Sequence, residues 1–169
     1  GVAHGARAAR DIPGLLRNGL LLGAGVGGLA ALVMAAIWPL LPLLGQPPEV
    51  LVVMPAYYAC IAAYMIPFAV LTVFKSAFEA VGRPWLGTTL AFLGVIVNVP
   101  LNWLLIWGVG PLPPLGLTGA GIASLLAESV ALLVAWVFWK RAPSMRRMRL
   151  RRGLSVAEMR ATAAEGAPL

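Results

Sequence analysis

Two polar pairs stand inside otherwise apolar stretches of this sequence: Asn98 with Asn102, and Ser124 with Glu128. The members of each pair are four residues apart, so on a helix they share one face. Amide, hydroxyl and carboxylate oxygens are donors that suit hard cations, and a carboxyl group can also carry a proton. Covalent chemistry has far less to work with. The apolar stretches hold no His, no Asp and a single carboxylate, so no enzyme is expected. One histidine, His4, and one cysteine, Cys60, leave no material for a zinc site or a disulfide framework. No organic cofactor and no resident metal are expected. The candidate chemistry is reversible binding of Na+, H+ or an organic cation by Asn98, Asn102, Ser124 and Glu128. The competing reading is structural: the same side chains hydrogen-bond neighbouring helices.

The elements that would position these residues are plain from composition. Of 169 residues, 60% are hydrophobic and 11% charged, against about 45–50% and about 25% in soluble domains. Mean hydropathy is +0.88. A soluble domain is excluded, and so is a disordered chain, which would be poor in apolar residues. Four apolar runs, at about 19–44, 50–74, 85–107 and 117–139, each exceed the roughly 20 residues that cross a bilayer as a helix. Three carry no charge, and the fourth carries only Glu128. Alternation of barrel-strand type is absent. The fold expected is an all-α integral membrane bundle with four transmembrane helices.

The charges give the topology. All thirteen Lys and Arg residues fall in three regions: the opening segment 1–18, the connection holding Lys75 and Arg83, and the tail 140–169. With four spans these regions lie on one side of the membrane. The opposite loops, 45–49 and 108–116, contain only Glu49. The positive-inside rule places both chain ends in the cytoplasm. The net charge of +7 is thus an orientation and anionic-lipid signal; nucleic acid is not expected as a partner.

Counting inward from the outer ends at about 1.5 Å per residue, Asn98 lies roughly 13 Å deep, Asn102 roughly 8 Å, Ser124 roughly 10 Å and Glu128 roughly 16 Å. Two helices joined by a short loop can turn all four toward one polar pocket in the outer half of the membrane. A charge at such depth costs at least about 2.5 kcal/mol on insertion scales. Gly19, Gly23, Gly25, Gly27 and Gly28 open the first span with overlapping small-xxx-small spacings, which favour close helix packing. Pro55, Pro67 and Pro100 interrupt spans two and three, as kinked helices require. Trp38, Trp85, Trp103, Trp107, Trp136 and Trp139 all sit near span ends, the interfacial position of indoles. Tyr57, Tyr58, Tyr64 and Cys60 on the second span have two readings, as cavity lining or as ordinary packing, and packing is the preferred one.

A family resemblance rests on several stretches in order. Leu44-Gly-Gln-Pro-Pro-Glu49 and Ala56-Tyr57-Tyr58 come first, followed by Phe78-Glu-Ala-Val-Gly-Arg-Pro84. The strongest are Asn98-Val-Pro-Leu-Asn102-Trp-Leu-Leu-Ile-Trp-Gly108 and Leu115-Gly-Leu-Thr-Gly-Ala-Gly-Ile-Ala-Ser124. Over about residues 14–140 the chain resembles multidrug and toxic compound extrusion (MATE) transporters. The resemblance implies a twelve-helix, two-lobe antiporter that exports organic cations in exchange for Na+ or H+. This chain would supply helices three to six of the first lobe and the basic linker toward the second. The opening at Gly1 and the stretch 165–169, which looks like the start of a seventh helix, then predict a fragment. Its partners would be organic cations, membrane lipids and the remainder of its own chain, in the plasma (inner) membrane.

Family members with a first-lobe cation site use an Asp on the first helix with polar residues on the fifth and sixth. The matching positions here are Asn98, Asn102 and Ser124. Asn102 is neutral where some relatives have a second carboxylate. Glu128, one turn beyond Ser124, is in a position to supply the charge, an inference from this sequence and not a family rule. Two other functions stay open. A lipid-linked precursor flippase of the same superfamily would favour a cationic cavity, and the four runs hold no Lys or Arg. A complete small four-helix membrane protein would be excluded by a reading frame extending beyond residues 1–169.

Overall fold

In a computed structural model, residues 2–141 are described. The basic residues Arg146, Arg147, Arg149, Arg151, Arg152 and Arg160, with the stretch 165–169, lie outside the described residues. What is described is helical, with no strand: α1 (Val2–Ile37), a 3-10 turn (Trp38–Leu44), α2 (Pro48–Val53), α3 (Pro55–Ala80), α4 (Pro84–Trp107) and α5 (Gly116–Arg141). Four segments are long and apolar enough to cross a membrane: Leu16–Leu43, Pro55–Ala80, Pro84–Trp107 and Gly116–Arg141.

Prolines set several of the boundaries. Pro39 has no N–H for the carbonyl four residues back, so α1 tightens into the 3-10 turn, which ends at Gly45 with φ +73°. Pro55 likewise breaks the second run. The expected helix from residue 50 is divided into α2, a bend at Met54, and α3 starting at Pro55. At the other end α3 runs past residue 74 to Ala80, because Phe74, Ala77 and Phe78 still have a buried face to fill. Lys75 and Glu79 are therefore helical residues and not part of a loop. The turn into α4 is closed by Gly82, at φ +73°, and by the Arg83 N–H donating to the Phe78 carbonyl at 2.8 Å. At the opening of the chain, α1 continues through residues 2–18 into the first span without a break.

Helix α3 is the hub, packed on α1, α4 and α5, and α4 packs on α5. The pairing is readable from glycine approaches. A Cβ placed on Gly23 would lie 3.2 Å from the Ala69 carbonyl oxygen, and one on Gly27 would lie 2.7 Å from that of Met65. α1 therefore runs antiparallel to α3 along the 19-23-27 stripe. Gly119 meets Leu105 at a virtual 2.5 Å, and Ser124 meets Asn98, so α4 and α5 are antiparallel. Gly121 abuts Tyr57 and Cys60, and Glu128 meets Tyr64, so α3 and α5 run parallel.

The most buried side chains gather at the end of the bundle away from α2: Leu71, Phe74 and Phe78 with Ala131, Ala135 and Trp139. Phe78 stacks near Trp139 and Phe138, each with ring centroids 5.9 Å away. Trp139 is only 6% exposed, so it belongs to this aromatic cluster and not to the membrane interface. The reason is its position on the α5 face that meets Phe74 and Phe78. Trp85, Trp103, Trp107 and Trp136 do face outward.

Candidate functional site

Helix α4 presents a face on which Gly87, Ala91, Gly94, Asn98 and Asn102 recur every three or four residues, the helical repeat. Its small members leave room and its asparagines supply polarity. Opposite them α5 places Ser124, Ala127 and Glu128, and α3 places Tyr64, Phe68 and Lys75. Between the three helices lies a cavity of about 420 Å³ whose wall includes Tyr64, Lys75, Gly94, Asn98, Ser124 and Glu128.

Three of the four residues expected from sequence share this wall. Asn98 donates through Nδ2 to the Ser124 hydroxyl at 3.4 Å. Asn102 is not on the wall; its Nδ2 donates to Asn98 Oδ1 at 2.7 Å, one turn along the same helix. The two asparagines and the serine thus form a hydrogen-bonded string from α4 to α5, which is the arrangement a structural role predicts. Glu128 stands apart from the string. Its Oε2 accepts a long 3.5 Å hydrogen bond from the Tyr64 hydroxyl. Its Oε1 is buried and has no hydrogen-bond partner among the described residues. A carboxylate can accept about four hydrogen bonds, so Glu128 retains most of its capacity for a cation or a proton.

Two wall residues take a larger part than the preferred sequence reading gives them. Tyr64 looks like a packing residue, and Lys75 looks like an orienting charge in a connection. Both follow from the length and rotation of α3: residues 64, 68 and 75 fall on one helical face once the helix is known to reach Ala80. The run 50–74 holds no Lys or Arg, but the membrane-length helix reaches Ala80 and so brings Lys75 onto the cavity wall. Its stem packs against Gly87 of α4, where an added Cβ would sit 3.6 Å from Lys75 Cβ and Cγ. Lys75 shares the cavity wall with Glu128, three helical turns away, and leaves Glu128 Oε1 without a partner. The other candidates are packing residues. Tyr58 donates to the Met34 carbonyl at 2.7 Å and stacks near Trp38, and Cys60 lies against Gly121.

The chemistry available is electrostatic. Among the described residues no group of three or more His, Cys, Asp or Glu is placed to hold a metal ion. One carboxylate, one hydroxyl, one amide, a phenol and an ammonium line a space in an apolar bundle. Such a lining offers oxygen ligands of the kind hard cations take, and a charged group held at membrane depth at the cost of desolvation marks a candidate functional site by default.

A family model described as MatE matches residues 1–104. The probable multidrug resistance protein NorM of Acinetobacter baylyi is 30% identical over 140 residues, covering 83% of this chain and 31% of that protein. Proteins of the same name in Pseudomonas syringae pv. tomato and Pseudomonas aeruginosa are 32% identical over 159 residues and 30% identical over 157. They cover 91% and 90% of the chain, and 34% and 31% of their own lengths, respectively. The chain spans about a third of the length of these curated relatives. No solved structure matches it.

Proposed function

The chain belongs to the MatE family, and on that premise we propose that its four membrane helices are helices three to six of the first lobe of a multidrug efflux antiporter, one that exports organic cations in exchange for Na+ or H+. The family is one of transporters and not of enzymes. The observation that carries the reading is Glu128: a membrane-embedded carboxylate with one oxygen unpartnered, on the wall of a cavity it shares with Asn98 and Ser124. Occupancy of that cavity by H+ or Na+ removes the cost of the bare charge and stabilises whichever lobe conformation closes around it. Release to the other side restores the cost. Two conformations with different cation affinity are all that exchange requires.

The proposed setting is the inner membrane, with both chain ends cytoplasmic, lipid around the outward apolar faces, and the rest of the transporter chain against the remainder. The test is drug export by the full-length protein carrying Glu128→Gln. Export driven by an imposed Na+ or H+ gradient should fall at least tenfold, with expression and membrane insertion unchanged. Unaltered export with unaltered ion coupling would remove Glu128 from the mechanism.

Lys75 gives some support to the second reading, a flippase for an anionic lipid-linked precursor, since it puts a positive group in the cavity. One ammonium balanced by one carboxylate does not make the cavity cationic, however, and the antiporter accounts for both charges.

A further inference from the structure

Glu128 and Lys75 are the two formally charged side chains on the cavity wall among the described residues. They sit on parallel, directly packed helices. Glu128 is level with Tyr64, while Lys75 is three helical turns further along α3. The Lys75 stem is held against Gly87, which, like Gly94 on the same α4 face, has no side chain to obstruct it. A lysine stem of this kind can turn its head inward along the groove or outward to the nearer membrane surface. A buried carboxylate is costly alone and much less so with a counter-charge in place. The free oxygen of Glu128 faces the cavity, and Lys75 lines the same cavity from its other end.

We propose that Lys75 is a resident competitor for the cavity: its ammonium, turned into the groove, partly offsets the charge of Glu128 from a distance when no cargo is bound, and an organic cation entering the site displaces it toward the cytoplasmic surface. This deepens the antiporter reading and rests on it. The ligand class is a monovalent organic cation with a delocalised charge, which is cheaper to desolvate than the ammonium it replaces. Competition of this kind weakens cargo binding but lowers, without removing, the cost of the charge in the unloaded cavity. It also moves a charge near the α3–α4 turn each time the cavity fills.

The experiment measures binding of tetraphenylphosphonium to the purified full-length protein. Lys75→Met should bind the probe more tightly, on the order of tenfold, within the usual range of coupling between linked binding events. Lys75→Arg should stay near the wild-type affinity. Glu128→Gln should bind more weakly, and in the Lys75→Met, Glu128→Gln double variant the gain from losing Lys75 should vanish. A second readout needs no variant: amine modification of Lys75 in the wild-type protein, followed by mass spectrometry, should speed up when the probe is bound. Unchanged affinity in Lys75→Met, an equal gain with or without Glu128, or a modification rate indifferent to the probe would each overturn the proposal. If Glu128→Gln itself binds normally, the cation-site reading fails with it. If Glu128→Gln weakens binding while Lys75→Met changes nothing, only the competition fails.

Discussion

Glu128 reaches its one hydrogen-bond donor among the described residues, Tyr64, across the α3–α5 contact at 3.5 Å. That length makes the bond weak in itself, so its role is to orient the carboxyl and not to fix the bundle. Tyr64→Phe should accordingly lower the melting stability of the detergent-solubilised protein by no more than about 1 kcal/mol, the net worth of one hydrogen bond. It should still change cation affinity measurably, since Oε2 loses the one donor it has among the described residues. A melt and a binding titration on the same preparation separate the two effects. At this scale much was readable beforehand. The four-residue spacing of Asn98 with Asn102 and of Ser124 with Glu128 is a property of any helix, and it is the basis of the Asn98–Ser124 meeting. The roles of Tyr64 and Lys75 were not readable. They depend on how α3 is rotated against α5, and no local pattern encodes the relative rotation of two helices that are both apolar all round.

Among the elements, α1 and α3 are joined by a stripe of glycines, and the structure separates the glycines that matter from those that do not. A Cβ on Gly27 would lie 2.7 Å from the Met65 carbonyl oxygen and 2.8 Å from Ile66 Cα, both backbone atoms that cannot swing aside. Gly25 has nothing within 4 Å. Gly27→Val should force the helices apart and destabilise the bundle by about 2 kcal/mol or more, within the range for overpacking. Gly25→Ala should be neutral or slightly stabilising, because alanine is the better helix former. Thermal unfolding in one detergent, compared across both variants, decides between this geometry and a mere count of glycines. The number of spans was legible because four apolar runs of membrane length leave no other solution. Their ends were less so. Lys75 and Glu79 read as a polar connection, yet the same segment contributes Phe74, Ala77 and Phe78 to the aromatic cluster, and packing with Trp139 carries the helix through the charges. Only contact with another helix makes that residue a core residue and not an interfacial one.

For the molecule as a whole, the described charges sort by end. Arg17, Lys75, Arg83, Lys140 and Arg141 belong to the end of the bundle where α3 meets α4 and α5 terminates. The opposite connections carry Glu49 alone. Inserting the helices the other way would translocate the basic end, which the bias of Lys and Arg opposes. Translocating a single Glu is easy by comparison, since acidic residues contribute little to orientation. The prediction follows in terms of accessible side chains. In the full-length protein with its native cysteines replaced, including Cys60→Ala, Glu49→Cys should react with a membrane-impermeant maleimide in intact spheroplasts. Arg83→Cys, at the α3–α4 turn, should react only after the membrane is permeabilised. The reverse pattern would turn the bundle over, place the tethered end of Lys75 toward the outside, and require cargo to displace its ammonium in the direction of export instead of toward the cytoplasm. Labelling of both sites without permeabilisation would mean that one of the four helices does not span, and the shared cavity of α3, α4 and α5 would lose its membrane setting.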